Sequence, residues 1–505
     1  MSNLDVLLIT PPSRLDVYQT LSNDYAAIEP PVWSMLIAKY LLRLNYNVEI
    51  LDAEAENLTH EQTAENIANK NPKLAVFVIY GQQPSASTQC MPAGTKTCNK
   101  LKLITDGQIK TLVMGTHASA LPKRTLKEEP YDFVCQGEGP LTISNLIDVI
   151  KNNKKDYNKI PGLWYRDKDN DIKSTIRSEM FNNLDLHLPG QEWSLLDMSK
   201  YKAHNWHTFG RLDTRNKYAS LQTSLGCPFK CTFCCINAPF DRNTIRFWSA
   251  KHIFNEIKTL VEEYGIYNIK IPDEMFVLNP KQVTEICDLI ISSNLGKDLN
   301  FWAYARIDTL EDNVMLEKMI KSGFKWLGLG IESSNPNVRD GVVKGRFSNY
   351  DIEGVVKKVR DMGFNVGANY IFGLPEDNFD SMNETLDLAL RINSEWTNFY
   401  SAMAYPGSQL YPLAQKNKWK LPDDKSGPGW IGYSQHSYDT LPLRTNHLKA
   451  SEVLEFRDKA FDIYFNNNDY LSMIEKKFGI STRDHISKMS KHKLKRRHQF
   501  EDVSY

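Results

Sequence analysis

Apolar positions in the first 150 residues fall in short continuous runs: Leu4–Thr10, Val48–Leu51, Leu74–Tyr80, Thr111–Met114 and Phe133–Cys135. Strands that are apolar on both faces suit a parallel sheet covered by helices on each side. Between the first two runs, Trp33–Leu44 carries its apolar residues at helical spacing. Strand–helix alternation with short loops predicts a doubly wound sheet, whose ligand lies beyond the carboxyl ends of the strands. Those ends carry small or polar residues: Thr10-Pro11-Pro12, Asp52, Gly81-Gln82-Gln83, Gly115-Thr116-His117 and Gly137-Glu138-Gly139.

The polar stretch Lys151–Lys159 has no periodicity and marks a boundary, so the first domain is taken as residues 1–150. Residues 162–176 read as a hairpin around a polar turn, and residues 184–197 as a linker laid over a surface; together they give a connecting segment, 151–212. A second alternation starts at Lys217, with strand-like runs Tyr218–Thr223, Asn268–Ile271, Asn300–Ala305, Trp326–Ile331, Val366–Phe372 and Thr397–Ala402. Helical patterns such as Lys251–Tyr264 and Ile352–Met362 separate them. Six βα units in a row predict a parallel barrel, or part of one, over 213–425. Its chemistry should sit at the carboxyl ends of its strands. Those ends offer Thr223-Ser224, Asp273-Glu274, Arg306, Glu332-Ser333-Ser334, Gly373 and Tyr405. The rhythm then stops, leaving a mainly helical cap and tail, 426–505, whose basic run Lys488–Arg497 reads as solvated.

Charge adds exclusions. Lys+Arg and Asp+Glu both number 61, so no global field points to nucleic acid or a membrane surface. The amino terminus lacks the basic start and long apolar core of a signal peptide, and no apolar run approaches ~18 residues. A cytoplasmic protein without a membrane span is expected. In a reducing compartment the eight cysteines are not expected to pair as disulfides. Four of them, Cys227, Cys231, Cys234 and Cys235, fall in one short loop after the first barrel strand, and the other four are scattered.

The spacing C-x3-C-x2-C lets Cys227, Cys231 and Cys234 converge on one small inorganic centre. Three thiolate ligands would leave one iron of a cubane open. A zinc knuckle is the alternative, but a closed zinc site needs a further ligand, and adjacent Cys234 and Cys235 would not easily face the same metal. This loop, with Phe233 before its third cysteine, resembles the radical S-adenosylmethionine superfamily. So do Ile271–Phe276 (IPDEMF), Ala303–Asp308 (AYARID), Leu327–Ser334 (LGLGIESS), Asn369–Asp377 (NYIFGLPED) and Ala404–Tyr411 (AYPGSQLY), in the family's order. The preceding pieces LDVLLITPPS, EPPVWSMLIAKYL, NVEILDAE, VMGTHASALP and FVCQGEGP resemble the cobalamin-binding domain of one branch of that superfamily.

The resemblance implies an α/β chain: a flavodoxin- or Rossmann-like cobalamin-binding domain, then a partial (β/α)6 barrel, then a mainly helical region. It implies that Cys227, Cys231 and Cys234 hold a 4Fe–4S cluster that chelates and reductively cleaves S-adenosylmethionine to a 5′-deoxyadenosyl radical. Asp273 and Glu274 fall where the family contacts the methionine amino group, and Glu332 and Ser333 where it contacts the ribose or amino-acid part. Gly373 would let backbone approach the adenine. Arg306 could pair with a carboxylate, with Lys344 as its rival. A rim salt bridge or a cap is the bland alternative for each of these side chains. Gly81, Gly115, Thr116 and Gly137 would border the cobalamin. The loop D-x-H-x-x-G, which brings a histidine to cobalt in many cobalamin proteins, does not occur, and His117 is expected to be a rim or core residue.

The expected reaction is methylation of an unactivated carbon or phosphorus in a small-molecule or peptide substrate, supplied with electrons by an external donor such as flavodoxin or ferredoxin. Radical cyclisation, ring contraction or rearrangement is the alternative, and a corrinoid and iron–sulfur sensor is the non-catalytic one. The segment Gly427–Leu443 is read either as a lid over the barrel mouth or as a packed cap.

Overall fold

The computed structural model describes residues 4–81, 83, 85–152, 156–344 and 351–498. Gln82, residues 153–155 of the expected boundary and residues 499–505 of the tail lie outside the described residues.

Seven strands form the amino-terminal sheet: β1 (Val6–Thr10), β2 (Val48–Asp52), β3 (Leu74–Val78), β4 (Lys110–Met114), β5 (Phe133–Cys135), β6 (Leu163–Arg166) and β7 (Ile172–Ser174), in the order β2-β1-β3-β4-β5-β6-β7. The first five are parallel. Their continuous apolar runs have the cause inferred from sequence, since each face carries its own core. Leu7, Ile9, Ala75 and Phe77 pack on one side, and Val6, Leu8, Leu74 and Val76 on the other. The hairpin assigned to the connecting segment extends this sheet, because β6 pairs antiparallel with β5 and β7 with β6.

The second sheet is half a barrel of six parallel strands: β8 (Tyr218–Ser220), β11 (Asn268–Ile271), β12 (Asn300–Arg306), β13 (Phe324–Glu332), β14 (Asn365–Phe372) and β15 (Trp396–Ser401), in the order β15-β14-β13-β12-β11-β8. A short antiparallel pair, β9 (Ser224–Gly226) and β10 (Ile245–Phe247), brackets the cysteine loop. Both edges of the half-barrel are covered. On the β15 edge lies the helix Ala450–Phe465, whose Arg457 Nε donates to the Phe399 carbonyl at 2.8 Å. On the β8 edge the linker residue Gln191 donates to the Ser220 carbonyl at 2.9 Å and accepts from the Gln222 amide at 3.0 Å. Another linker residue, Trp206, closes the amino-terminal end of the barrel, edge-to-face on Trp302 (4.8 Å) and Trp326 (5.2 Å).

Buried ion pairs join the two sheets. Lys270 on β11 donates to both carboxylate oxygens of Glu29 at 2.9 and 3.0 Å, and Arg246 on β10 pairs with Glu138 of the Gly-Glu-Gly turn. Such pairs fix orientation, because separating either would strand a charge away from water. The basic tail departs from the solvated reading. Arg496 is buried against Asp458, bonded through Nε and NH2 at 3.0 Å each, and Arg497 pairs with Asp439. The carboxylates on the neighbouring elements draw this part of the run back onto the molecule.

Candidate functional site

The cysteine loop leaves β9 at Gly226, whose φ is +89°. A Cβ there would lie 2.3 Å from the Thr244 carbonyl oxygen, so only glycine permits the turn. Asn237 then pins the loop: its Oδ1 accepts from the Cys227 amide at 3.1 Å and its Nδ2 donates to the Cys227 carbonyl at 2.8 Å. Cys227, Cys231, Cys234 and Cys235 are free thiols on the wall of one cavity, together with Phe233, Glu274, Arg306, Glu332 and Lys344. Among the described residues no three His, Cys, Asp or Glu side chains gather tightly enough for one metal ion. Burial pushes the Cys227 thiol up to about 11 and the Cys234 thiol well above its ordinary value, so both are neutral at pH 7 until a cationic centre draws off their protons. The Arg306 guanidinium lies 4.0 Å over the Phe229 ring of the loop and is held by both oxygens of Asp308. Its charge favours anionic sulfur at Cys227.

The two acidic residues after β11 have different surroundings. Asp273 turns inward and accepts from the Thr223 amide (2.8 Å) and from the Thr223 and Ser224 hydroxyls (2.6 and 2.5 Å). It clasps the loop between β8 and β9 and does not line the cavity. Glu274 does line it, and burial pushes its carboxyl up to about 7. Glu332 adopts φ +64° where the β13–β14 register shifts, and its carboxylate meets the Lys344 ammonium. Burial works against the charge on Lys344, yet Glu332 raises it above its ordinary value. Gly330 makes room for this pair, since a Cβ would lie 2.7 Å from Glu332 Oε1 and 2.9 Å from Lys344 Nζ. Ser333 is buried elsewhere, with its hydroxyl 3.2 Å from that of Thr385 and accepting from the Asn335 amide at 3.2 Å. Gly373 has φ +81° and faces the helix Ala450–Phe465, where a Cβ would lie 2.4 Å from Val453 Cγ1. The positive φ and the close packing against the cap both call for glycine there.

A second cavity, partly open to solvent, lies beyond the carboxyl ends of the amino-terminal strands. Gly81 and Thr116 line it, with Thr10, Asp52, Phe240 and Trp33, which stacks on Tyr80 at 4.7 Å. Gly115 and Gly137 shape this wall from behind. At Gly115 a Cβ would lie 2.0 Å from the Ile79 carbonyl oxygen, and the Gly137 amide donates to Ser119 Oγ at 3.2 Å. His117 is also behind the wall, buried edge-to-face on Trp430 at 4.4 Å with its Nδ1 3.3 Å from Thr88 Oγ1. The aromatic stack and the glycine at the strand end fit a planar cofactor.

A third cavity occupies the inside of the half-barrel, and the three adjoin. Glu274 and Ile236 border the first two, Tyr304, Tyr400 and Gln435 border the cysteine cavity and the third, Tyr18 and Gln89 border the second and third, and Gln83 borders all three. Gln435 comes from the segment Gly427–Leu443 and pairs with the Ser401 backbone, accepting from its amide and donating to its carbonyl at 2.9 Å each. That segment is thus a packed cap that also reaches the cavities. Sequence reasoning passed over Phe229, Tyr304, Tyr400, Asn369 and Gln89. The period of two along β12 and β15 could have put Tyr304 and Tyr400 on inner faces, but not beside each other.

Residues 221–389 match the family model for the radical SAM superfamily and residues 19–147 that for the B12 binding domain. An uncharacterised methyltransferase of Pyrococcus horikoshii is 27% identical over 466 residues, covering 92% of this chain and 93% of its own. The anaerobic magnesium-protoporphyrin IX monomethyl ester cyclase of Rubrivivax gelatinosus is 24% identical over 408 residues, covering 78% of this chain and 68% of its own. Among solved structures, the cobalamin-dependent S-adenosylmethionine radical enzyme OxsB, with aqua-cobalamin and S-adenosylmethionine bound, superposes with a TM-score of 0.69 at 15% identity, over 96% of this chain and 70% of that one. At that identity the likeness is one of fold.

Proposed function

We propose that this chain, which belongs to the cobalamin-dependent radical S-adenosylmethionine enzymes, is a methyltransferase acting at an unactivated carbon or phosphorus of its substrate. The observation that carries the reading is the meeting of the cysteine cavity and the large amino-terminal cavity at Glu274, Ile236 and Gln83. A substrate can then touch both cofactors without leaving the protein, which contact-distance chemistry requires. The methyltransferase name of the Pyrococcus relative supports it.

When bound, the cluster and S-adenosylmethionine supply a 5′-deoxyadenosyl radical and cobalamin supplies the methyl group. The chain's own residues bind, orient and exclude water. Cys227, Cys231 and Cys234 hold the cluster, and Arg306 steadies its negative charge across the Phe229 ring. Glu274 would offer an acceptor to the ammonium of S-adenosylmethionine, and the Glu332–Lys344 pair would offer a cation and an acceptor to its carboxylate and ribose. The aromatic stack of Trp33 and Tyr80, with Gly81 and Thr116, would line the space for cobalamin. The electron comes from an external donor of the flavodoxin or ferredoxin kind, in the cytoplasm. Among the described residues no helix is long and apolar enough to cross a membrane.

Methyl transfer uses S-adenosylmethionine in two ways, so the anaerobic holoenzyme is expected to form S-adenosylhomocysteine and 5′-deoxyadenosine together, with a product one CH2 heavier than its substrate. Substrate loss with 5′-deoxyadenosine but no S-adenosylhomocysteine, at any cobalamin loading, transfers the assignment to cyclisation or rearrangement. The Rubrivivax relative, a cyclase by name, favours that second reading.

A further inference from the structure

The wall of the cavity inside the half-barrel carries more positive than negative charge. Among the described residues its lysines and arginines are Lys270, Arg457 and Lys493. Lys270 is matched by Glu29 at 2.9 Å and Lys493 by Asp462. Arg457 is matched only in part. Its NH1 donates to Asp458 Oδ1 at 2.7 Å, but Arg496 claims the same carboxylate through Nε and NH2 at 3.0 Å each. Two guanidiniums thus share one carboxylate, and both are buried, at 5% and 7% exposed. Arg496 stands behind the wall, its NH1 taken by the Ser437 carbonyl (3.1 Å) and Thr440 Oγ1 (2.7 Å). Arg457 is the one that faces the cavity, and one positive charge is left over there.

The guanidinium also has donors to spare. Of its five N–H groups, Nε donates to the Phe399 carbonyl at 2.8 Å, one on NH1 goes to Asp458, and NH2 lies 3.5 Å from His436 Nε2. One N–H remains on each terminal nitrogen, the number that the two oxygens of a carboxylate accept as a fork. A buried surplus cation is costly until an anion joins it. A surplus of one suits a carboxylate, whereas a phosphate monoester brings about −1.5 to −2 and would set its excess against Asp458. The rest of the wall is largely aromatic, with Trp302, Trp396, Phe399 and Phe461, and such walls favour an apolar, flat body. We propose that this chamber takes an apolar organic monoanion, its carboxylate on Arg457 and its body against Trp302, Trp396 and Phe461. The inference rests on the enzyme assignment above and names the substrate class of that enzyme. The chamber adjoins the cysteine cavity across Tyr400 and Gln435 and the amino-terminal one across Tyr18 and Gln89, so a molecule anchored at Arg457 can extend towards both cofactors.

Anaerobic equilibrium dialysis of the reconstituted, unreduced holoenzyme tests this without turnover, with S-adenosylmethionine present to fill the cysteine cavity. The probes are 2-naphthoate, its neutral isostere 2-naphthamide, 2-naphthyl phosphate and acetate. We expect 2-naphthoate to bind about tenfold more tightly than each of the others. Arg457→Gln leaves Asp458 and Arg496 as a one-to-one pair, so the fold should persist, with iron content as the control. In it 2-naphthoate should weaken about tenfold, to the level of 2-naphthamide, whose own binding should not change. Arg457→Lys keeps the charge without the fork, and should bind 2-naphthoate less tightly than wild type but still above 2-naphthamide. Equal binding of 2-naphthamide overturns the anionic class, equal or tighter binding of 2-naphthyl phosphate overturns the single charge, and equal binding of acetate overturns the apolar body. No binding of 2-naphthoate, or unchanged binding in either variant, removes the assignment to Arg457. Formation of S-adenosylhomocysteine and 5′-deoxyadenosine on reduction is read separately. If both form while 2-naphthoate is ignored, the substrate class falls and methyl transfer stands; 2-naphthoate bound at Arg457 with no S-adenosylhomocysteine formed sinks methyl transfer alone.

Discussion

Neighbouring residues at the site have unlike roles. Cys234 lies on the cavity wall with Cys227 and Cys231, and so does Cys235, which is buried and whose thiol burial pushes up to about 12. The proposed ligand set leaves Cys235 out, and iron content checks it. Cys231→Ala should abolish a cluster of about four irons, because two thiolates cannot hold a cubane with one open iron. Cys235→Ala should keep most of the iron; the opposite result would reassign the ligands. The cysteine spacing was legible because the three positions are a few covalent bonds apart. The choice between Asp273 and Glu274 was not, since it depends on Thr223 and Ser224 standing opposite one of them and leaving the other to face the cavity.

Elements show the same division between local pattern and distant partner. Every run expected as a barrel strand contains one, because a strand apolar on both faces announces itself in the run. The contact made by Gly373 does not, since Val453 arrives from a helix about eighty positions later. Gly373→Ala should therefore lower stability by about 1–3 kcal/mol through overpacking and an unfavourable φ. Denaturant unfolding measures it, and adding Val453→Ala should recover part of the loss. A variant of full stability with weakened S-adenosylmethionine binding would restore the adenine role expected from sequence. The hairpin after residue 160 was legible as a hairpin, but its place as the last two strands of the first sheet depends on β5 offering an unpaired edge.

At the scale of the whole molecule, the cofactor spaces face each other because the domains are locked by charge. Lys270 and Glu29 are 3% and 6% exposed, and Ser220 and His204 also reach the carboxylate. Burial opposes ionisation of Glu29, yet Lys270 and His204 outweigh it and hold the carboxyl down at about 2. A depressed carboxylate contributes its stability above its unfolded value of about 4.5 and loses it as the pH falls through about 2. Glu29→Gln should cost about 3–5 kcal/mol by leaving the buried Lys270 ammonium without its carboxylate. The gap in urea midpoint from wild type should be full at pH 5 and above, narrow progressively below about 4.5 and vanish only near about pH 2; a gap that has closed already near pH 4 would place the pair in contact with water. Sequence alone determined the two α/β units, their order and the cysteine loop, since hydrophobic period and close spacing are short-range properties of the chain, while the cofactor class came from the family resemblance of the motifs. Tertiary structure alone decided that Asp273 accepts from Thr223 and Ser224, that Ser333 lies against Thr385, that Gly373 meets Val453, and that part of the basic tail is folded back. Those outcomes depend on which distant groups come to stand opposite each side chain, and that is set by packing and burial.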